Sequence, residues 1–405
     1  MRESRSKIFQ DILDTQKIDL DLLRNECLSG CPESGGFRSI SWKILLNYLP
    51  TEKSLWNTTL SKARLEYEGF LAEFISNKSK SNQSSDHPLS SDPSSYWREY
   101  FDDNIVLLQI NKDCRRLYPE LDFFRRPTQY SCDKIFKSGV KISDLRNRIE
   151  TELTRSHSVA TNTLGAIRLV NSIGDHGGTS LLRAACDDEE TRDGKLSISN
   201  EALDSNAEFH WEVVQRILFT SYKMNRASSY VQGMNEIAAP IYYVFANNPD
   251  PNERRFAEPD AFFCFNNLMV EIQSVFNRNF DQDFGIGSKM EIMLDLLGKH
   301  DAELRRKLEH LHLEPAHFAF RWITLLLTRE FLLPDVLILW DSILADKHRF
   351  NLLLYICCSM LILIREKLFA CDFPEAVRLL QNYPYTDVGN IISHALNLYT
   401  RNCKI

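Results

Sequence analysis

The sequence predicts an all-α protein, because apolar residues recur at helical spacing along most of the chain and alternating strand patterns are scarce. In the segment WEVVQRILFTSY, one helix face would carry Trp211, Val214, Leu218 and Tyr222. The segment 318–344 is apolar almost all round, which is typical of buried helices. We therefore expect two central helices in that segment.

Prolines indicate where two of the helices end or begin. Helical spacing runs through NIVLLQINKDCRRL, residues 104–117, and Pro119 disfavours helix at the residue before it. The helix should therefore end near Tyr118, with Arg116 in its last turn. Pro334 falls where the second central helix would begin, a position at which proline is well tolerated.

Two stretches lack a pattern that could pack into a core. The first, about 76–95, is rich in Ser, Asn, Asp and Pro, and the second, about 151–206, contains a glycine pair and an acidic run. We interpret both as irregular insertions. The organisation that follows is a helical lead-in over 1–29, a main domain over 30–345, and C-terminal helices over 346–405 packed on it.

Charge and motif content exclude several classes of function. The chain of 405 residues has 48 basic and 55 acidic side chains, a net charge of −7. A nucleic-acid binder needs a basic face, so we expect no nucleic-acid partner. His310, His312 and His317 have no matching Cys or acidic motif, so we expect no metal site. The absence of a GxxxxGKS/T or GxSxG motif argues against a P-loop hydrolase and a serine hydrolase.

The sequence favours a cytoplasmic protein. Its ten cysteines are scattered, and Cys27 with Cys31 is not completed by a second pair into a zinc set, so we expect free thiols. The N-terminal residues contain no apolar signal core. The longest apolar run, 352–364, is too short to cross a bilayer and suits a buried helix. We expect no transmembrane segment, and any membrane association would be peripheral or through a partner.

Two short segments could carry chemistry, although each also has a simpler interpretation. Asp113 precedes Arg116 by three residues and could hold its guanidinium, whereas a cation near a helix C-terminus could equally be solvated there. Gln232 could orient a water through its donor and acceptor, and Gly233 beside it permits a turn. The alternative is a polar loop that enters a helix, with Asn235 as a possible cap.

A third segment, residues 30–50, is a Gly/Pro loop that leads into a helix. Trp42, Leu45 and Leu46 have the spacing of core residues. Arg38 could be a surface cation or a buried brace, and the spacing alone does not decide between them.

Together these segments resemble the TBC domain of Rab GTPase-activating proteins. An IxxDxxR motif, followed by the usual aromatic residue and proline, and a YxQ motif match the family's two finger motifs. The residues that match are Ile110, Asp113, Arg116, Tyr118 and Pro119 in the first motif, and Tyr230 and Gln232 in the second. The opening and late motifs of the family match Gly30, Pro32, Arg38, Trp42, Leu45 and Leu46, and Arg321, Trp322, Glu330, Phe331, Trp340 and Asp341. The order of four motifs, from about Gly30 to Leu344, makes the resemblance specific.

The resemblance implies a helical fold of two lobes and a protein that activates an enzyme rather than being one. Arg116 and Gln232 would be the catalytic fingers that accelerate GTP hydrolysis in a bound Rab, with regulation of vesicle trafficking as the outcome. Asp113 would orient Arg116, and Tyr230, Gly233 and Asn235 would shape the loop. The protein would need no cofactor of its own, because GTP and Mg²⁺ belong to the Rab. A Rab-binding scaffold without catalytic activity is the alternative.

Overall fold

The computed structural model describes residues 2–76, 96–155, 207–226, 229–276, 285–348 and 350–402, and helices dominate these ranges. Within them, β-type pairing is limited to two isolated bridges, Lys17 with Glu52 and Pro127 with Phe209. The all-α prediction is confirmed. In the same ranges, no helix combines the length and apolar character needed to cross a membrane.

The helices are numbered in chain order. They are α1 (Arg2–Asp14), α2 (Leu20–Cys27), α3 (Phe37–Leu45), α4 (Trp56–Phe74), α5 (Tyr96–Arg115), α6 (Cys132–Ile135), α7 (142–155), α8 (His210–Met224), α9 (Met234–Ala246), α10 (Pro251–Arg254), α11 (Ala257–Phe276), α12 (Ile286–His300), α13 (Ala302–His310), α14 (Ala319–Thr324), α15 (Leu333–Ala345), α16 (Asn351–Leu363), α17 (Arg365–Ala370), α18 (Phe373–Gln381) and α19 (Val388–Asn402).

The helices pack in two groups, which correspond to the two lobes expected. In the first group, α4, α5, α8, α9 and α11 pack on one another, and in the second α12, α13, α14, α16 and α19 do so. Helix α15 joins the groups, because it contacts α2, α3 and α9 on one side and α16 and α19 on the other. Pro334 lies in the first turn of α15, as the sequence predicted.

A buried carboxylate fastens α15 to the N-terminal helices. Asp341 is fully buried and accepts hydrogen bonds from the Trp42 indole at 2.7 Å, from Arg38 at 3.0 Å and from the Cys31 backbone at 2.7 Å. The Trp42 and Trp340 rings lie 5.7 Å apart beside it. A buried carboxylate is tolerated only when it is paired and hydrogen-bonded, so Arg38 is a buried brace rather than a free surface cation.

The first of the two expected central helices is much shorter than its apolar pattern suggested. Helix α14 ends at Thr324, and the backbone at Leu326 and Leu327 is left-handed, with φ of 50° and 66°. These residues are nevertheless buried, and the Leu326 carbonyl accepts a hydrogen bond of 3.0 Å from the Trp340 indole. Both expected central helices are present, as α14 and α15, but the first ends early because apolar content reports burial, and the chain after Thr324 is buried as a turn.

The predicted boundary of the second insertion, at about residue 151, falls inside α7. Residues 151–155 form the last turns of α7, and Glu152 is buried there. The rest of that segment, 156–206, lies outside the described residues, as does almost all of the segment predicted at 76–95.

Candidate functional site

Arg116 lies at the C-terminal end of α5, one residue beyond the last helical residue rather than inside the last turn as predicted. Its backbone N–H still bonds to the Asp113 carbonyl at 3.3 Å, and Tyr118 then adopts a φ of +37°. The chain therefore leaves the helix in a tight turn that ends at Pro119. This turn leaves the Arg116 side chain 67% exposed.

One edge of the Arg116 guanidinium is fixed to the helix end. Its Nη2 donates to Asp113 Oδ1 at 3.0 Å, and its Nε donates to the Lys112 carbonyl at 3.2 Å. The guanidinium has five N–H donors in a rigid fork, so these two bonds leave donors directed to solvent. The arrangement presents an oriented cation to whatever docks against this surface.

Asp113 is the centre of the site. Its carboxylate is 3% exposed, and besides Arg116 it accepts hydrogen bonds from Tyr230 Oη at 2.9 Å and from Gln109 Nε2 at 3.1 Å. Its backbone carbonyl accepts a bond of 3.2 Å from Asn235 Nδ2. A buried carboxylate needs such donors, so Asp113 ties the end of α5 to the chain segment before α9.

Tyr230 is held as a neutral hydrogen-bond donor. Burial is the main reason that its pKa is raised above the ordinary value, and the Asp113 carboxylate acts in the same direction. The hydroxyl therefore keeps its proton and keeps donating to Asp113 at neutral pH.

Gln232 lies in the turn that leads from Tyr230 into α9, and its side chain is exposed. Among the described residues no hydrogen bond to its amide is present, so the amide is available to a docked partner. Gly233 caps α9 with a φ of +105°. Asn235 therefore is not the cap, and its side chain instead holds Asp113.

Position 233 requires glycine for two reasons, its backbone conformation and the lack of room for a side chain. A Cβ at this position would stand 2.7 Å from Leu325 Cδ2, in addition to the strain of a left-handed conformation. The turn that carries Gln232 thus packs directly on the buried turn after α14.

We expect Gly233→Ala to lower the free energy of unfolding by roughly 1–3 kcal/mol, measured by urea denaturation. The matched control is Gly69→Ala, because Gly69 lies inside α4 and a Cβ there would meet nothing within 4 Å. Alanine in an exposed helix should stabilise by about 0.5–1 kcal/mol. Equal stability of the two variants would contradict the strained conformation of Gly233.

A groove of about 570 Å³ begins at Arg116 and extends towards the C-terminal lobe. Its lining includes Glu120 and Glu236, residues 328–332 and residues 383–386. Glu236 pairs with Arg329 at 3.0 Å, yet burial still raises the pKa of Glu236. Leu332 and Tyr385 belong to the lining, and 57% and 92% of their surface is exposed.

Two other residues of the matched motifs, Ile110 and Arg38, were expected to support the site. Ile110 is a fully buried residue of α5 and helps to fix the helix that precedes Arg116. Arg38 bonds to Asp341 and belongs to the junction of α3 with α15. Sequence reasoning missed Gln109, although its position four residues before Asp113 on one helix could have indicated the contact. It also missed Leu332 and Tyr385, because nothing local distinguishes them from ordinary surface residues.

Comparison with known proteins decides the family. A model of the Rab-GTPase-TBC domain matches residues 193–369, which include Tyr230 and Gln232 but not Arg116. TBC1 domain family member 13 of Mus musculus is 44% identical over 409 residues, covering 98% of this chain and 98% of that protein, and its Homo sapiens counterpart gives the same values. The chain belongs to the TBC-domain family.

Two less similar proteins support the same family and fold. A TBC domain-containing protein of Schizosaccharomyces pombe is 32% identical over 449 residues, which cover 98% of this chain and 72% of that protein. The crystal structure of the Ypt/Rab-GAP domain of Gyp1p aligns with a TM-score of 0.64 over 99% of both chains at 21% identity, and this likeness shows the fold. The predicted TBC fold and family are therefore confirmed.

Proposed function

We propose that this protein accelerates GTP hydrolysis by a Rab-family small GTPase, and that Arg116 is the group it inserts next to the nucleotide. The single observation that carries the proposal is an exposed guanidinium held at one edge by a buried, fully hydrogen-bonded Asp113. An arginine supplied in trans stabilises charge on the transferred phosphoryl group, which is typically worth about 10³–10⁵ in rate. That corresponds to roughly 4–7 kcal/mol of the activation barrier.

Gln232 would supply the second group, by orienting the attacking water. It is exposed, its amide has both a donor and an acceptor, and its turn is joined to Asp113 through Tyr230 and Asn235. Asp113 thereby holds both the Arg116 side chain and the turn that carries Gln232, which favours a mechanism in which the two residues act together. GTP and Mg²⁺ would come with the Rab, and the protein would regulate vesicle trafficking by switching that Rab off.

The test is single-turnover GTP hydrolysis by a panel of purified, GTP-loaded Rabs, with and without this protein. We expect at least one Rab to hydrolyse GTP faster by about 10³-fold or more. The alternative, a Rab-binding scaffold, predicts a Rab that binds without any acceleration. That result across every Rab that binds would replace the proposal by the alternative.

We also expect the groove next to Arg116 to contribute to docking of the Rab. Leu332 and Tyr385 are exposed apolar side chains in a wall continuous with Arg116, and burial of such side chains commonly dominates interface energy. Leu332→Ala with Tyr385→Ala should raise the KM for the Rab about 5- to 30-fold with little change in the rate at saturation.

The matched control for that pair is Leu65→Ala with Val270→Ala, because these side chains are 71% and 72% exposed and lie on α4 and α11, away from the groove lining. The control should leave both parameters close to those of the wild type. An unchanged KM in the Leu332 and Tyr385 variant would remove the groove from the docking surface without affecting the role of Arg116.

A further inference from the structure

A second cavity, of about 230 Å³, lies in the first lobe and shares no lining residue with the groove at Arg116. Its walls come from residues 126–130, from the first residues of α8 and α11, and from the end of α9. Phe123 and His210 stack in one wall with ring centroids 4.1 Å apart. The cavity is smaller than the roughly 300–1,000 Å³ usual for drug-sized ligands, so it suits a compact group.

Three arginines line this cavity: Arg126, Arg254 and Arg255. The Arg254 Nε is buried, and no described residue accepts its hydrogen bond. A buried donor without an acceptor is costly, so an acceptor from outside the chain would stabilise it. Arg126 has only an exposed pair with Asp122 at 3.4 Å, both side chains being at least 70% exposed, and such pairs hold a guanidinium weakly.

The negative charges near the cavity are already engaged. Glu258 lines it, but both of its carboxylate oxygens accept bonds of 2.7 Å from Arg216, and Tyr67 donates a third at 2.7 Å. Glu208 also pairs with Arg216, so the buried cluster of two carboxylates and one guanidinium has a net charge of −1. Asp122 beside Arg126 adds a second negative charge, and the three arginines outnumber these two. The excess at the cavity is positive.

Two further features fit an anion. Ala257, which lines the cavity, is the first residue of the 20-residue helix α11, so the positive end of a helix dipole lies there. Thr128 and Gln129 add polar side chains to the lining. His210 contributes no charge at neutral pH, because burial lowers its pKa to about 4. The cationic character therefore comes from the arginines.

We propose that this cavity is a binding site for a phosphate monoester, held by Arg126, Arg254 and Arg255. The planar fork of a guanidinium matches phosphate oxygens, and three of them match the double negative charge of a monoester better than the single charge of a carboxylate. The ligand is either a soluble phosphate compound or the headgroup of a phosphorylated lipid, which share this chemistry. The site is separate from the proposed GTPase-activating function and does not depend on it.

The test compares the wild type with Arg254→Gln/Arg255→Gln and with Arg126→Gln. The matched control is Arg305→Gln/Arg306→Gln, an adjacent arginine pair on α13 whose loss changes the net charge equally but leaves the cavity intact. Binding of inorganic phosphate and of phosphoserine is measured by calorimetry. Binding to vesicles is measured by co-sedimentation, with phosphatidylcholine alone or containing either phosphatidylserine or phosphatidylinositol monophosphate.

We expect the wild type and the α13 control to bind a phosphate probe equally, and the cavity variants to bind at least about 10-fold more weakly. Preference for the phosphoinositide vesicles over phosphatidylserine vesicles would support the site with a lipid headgroup as its ligand, and binding of soluble probes alone would support it with a soluble phosphate. The Arg126→Gln variant removes an exposed side chain, so its loss of binding cannot be attributed to unfolding. No binding of any probe by the wild type, or equal binding by the cavity variants and the control, would overturn the proposal.

Discussion

Arg116→Ala is expected to reduce stimulated GTP hydrolysis by about 10²-fold or more while the protein stays folded. The guanidinium is 67% exposed and its hydrogen bonds reach only Asp113 and Lys112, so little stability depends on it. The guanidinium would act mainly on the charge that develops in the transition state of phosphoryl transfer. Its loss should therefore lower the rate of hydrolysis far more than the affinity for the Rab. The measurement is single-turnover hydrolysis at saturating activator, with the thermal midpoint as the check on folding.

Two further variants make this result specific. Arg116→Lys keeps the charge but not the forked geometry, so it should fail nearly as badly. Arg306→Ala removes an exposed arginine of α13 whose Nε bonds only to the Ala302 carbonyl, and it should stimulate hydrolysis like the wild type. A folded Arg116→Ala protein with undiminished stimulation would show that Arg116 is a solvated surface cation.

The largest effect on stability is expected from Asp260→Asn. Asp260 is fully buried in α11 and accepts bonds from Lys43 at 2.6 Å, from Arg64 at 2.8 Å and from Tyr48 at 2.8 Å. Lys43 is itself 2% exposed, so the neutral amide would leave its buried charge with Glu253 alone. Removal of one partner from such a buried pair typically costs about 3–5 kcal/mol, measured as the change in free energy of unfolding in urea.

The pH dependence of this loss gives a second measurement. Burial alone would raise the pKa of Asp260, but Lys43 and Arg64 outweigh it and the pKa is lowered. Because the pKa of Asp260 is lower in the folded protein than the value of about 3.9 in the unfolded chain, its ionised carboxylate stabilises the fold at pH values above about 3.9. That stability is lost as the pH falls through the pKa of the folded state. The difference between wild type and variant should therefore shrink in acid. Asp21→Asn is the control, because Asp21 is 71% exposed and Arg24 lies 3.9 Å away, so it should cost no more than about 1 kcal/mol.

Helical periodicity was enough to predict the fold class, because each amphipathic helix contains its signal within a few turns. It did not show where the first central helix ends. Residues 325–327 are as apolar as the helix before them, but the Trp340 indole donates to the Leu326 carbonyl, and Gly233 packs against Leu325. These contacts come from residues distant in the sequence, so local pattern cannot report them. Residues 151–155 continue α7 in spite of the polar composition of the segment 151–206, and Glu152 is buried there.

The site was predictable to the extent that its residues are neighbours in sequence. Asp113 and Arg116 are three apart on one helix end, and the spacing indicated their contact. Tyr230 reaches Asp113 across 117 positions, and only the match to two family motifs placed the two segments in one site. Arg38 shows the limit of that reasoning, because a motif residue proved to be a brace for Asp341. The second cavity had no sequence signal, since its three arginines come from two separate segments.

The proposed mechanism requires that this protein bring both catalytic groups, Arg116 and Gln232. The deciding measurement is single-turnover GTP hydrolysis by a responsive Rab whose own catalytic glutamine has been replaced, with wild-type and with Gln232→Ala activator. We expect the altered Rab to retain much of its stimulation by the wild type, and to lose it with Gln232→Ala, because water placement would then depend on Gln232 alone. If the altered Rab still binds the wild-type protein but shows no acceleration, Gln232 is only a turn residue and the two-group mechanism is contradicted.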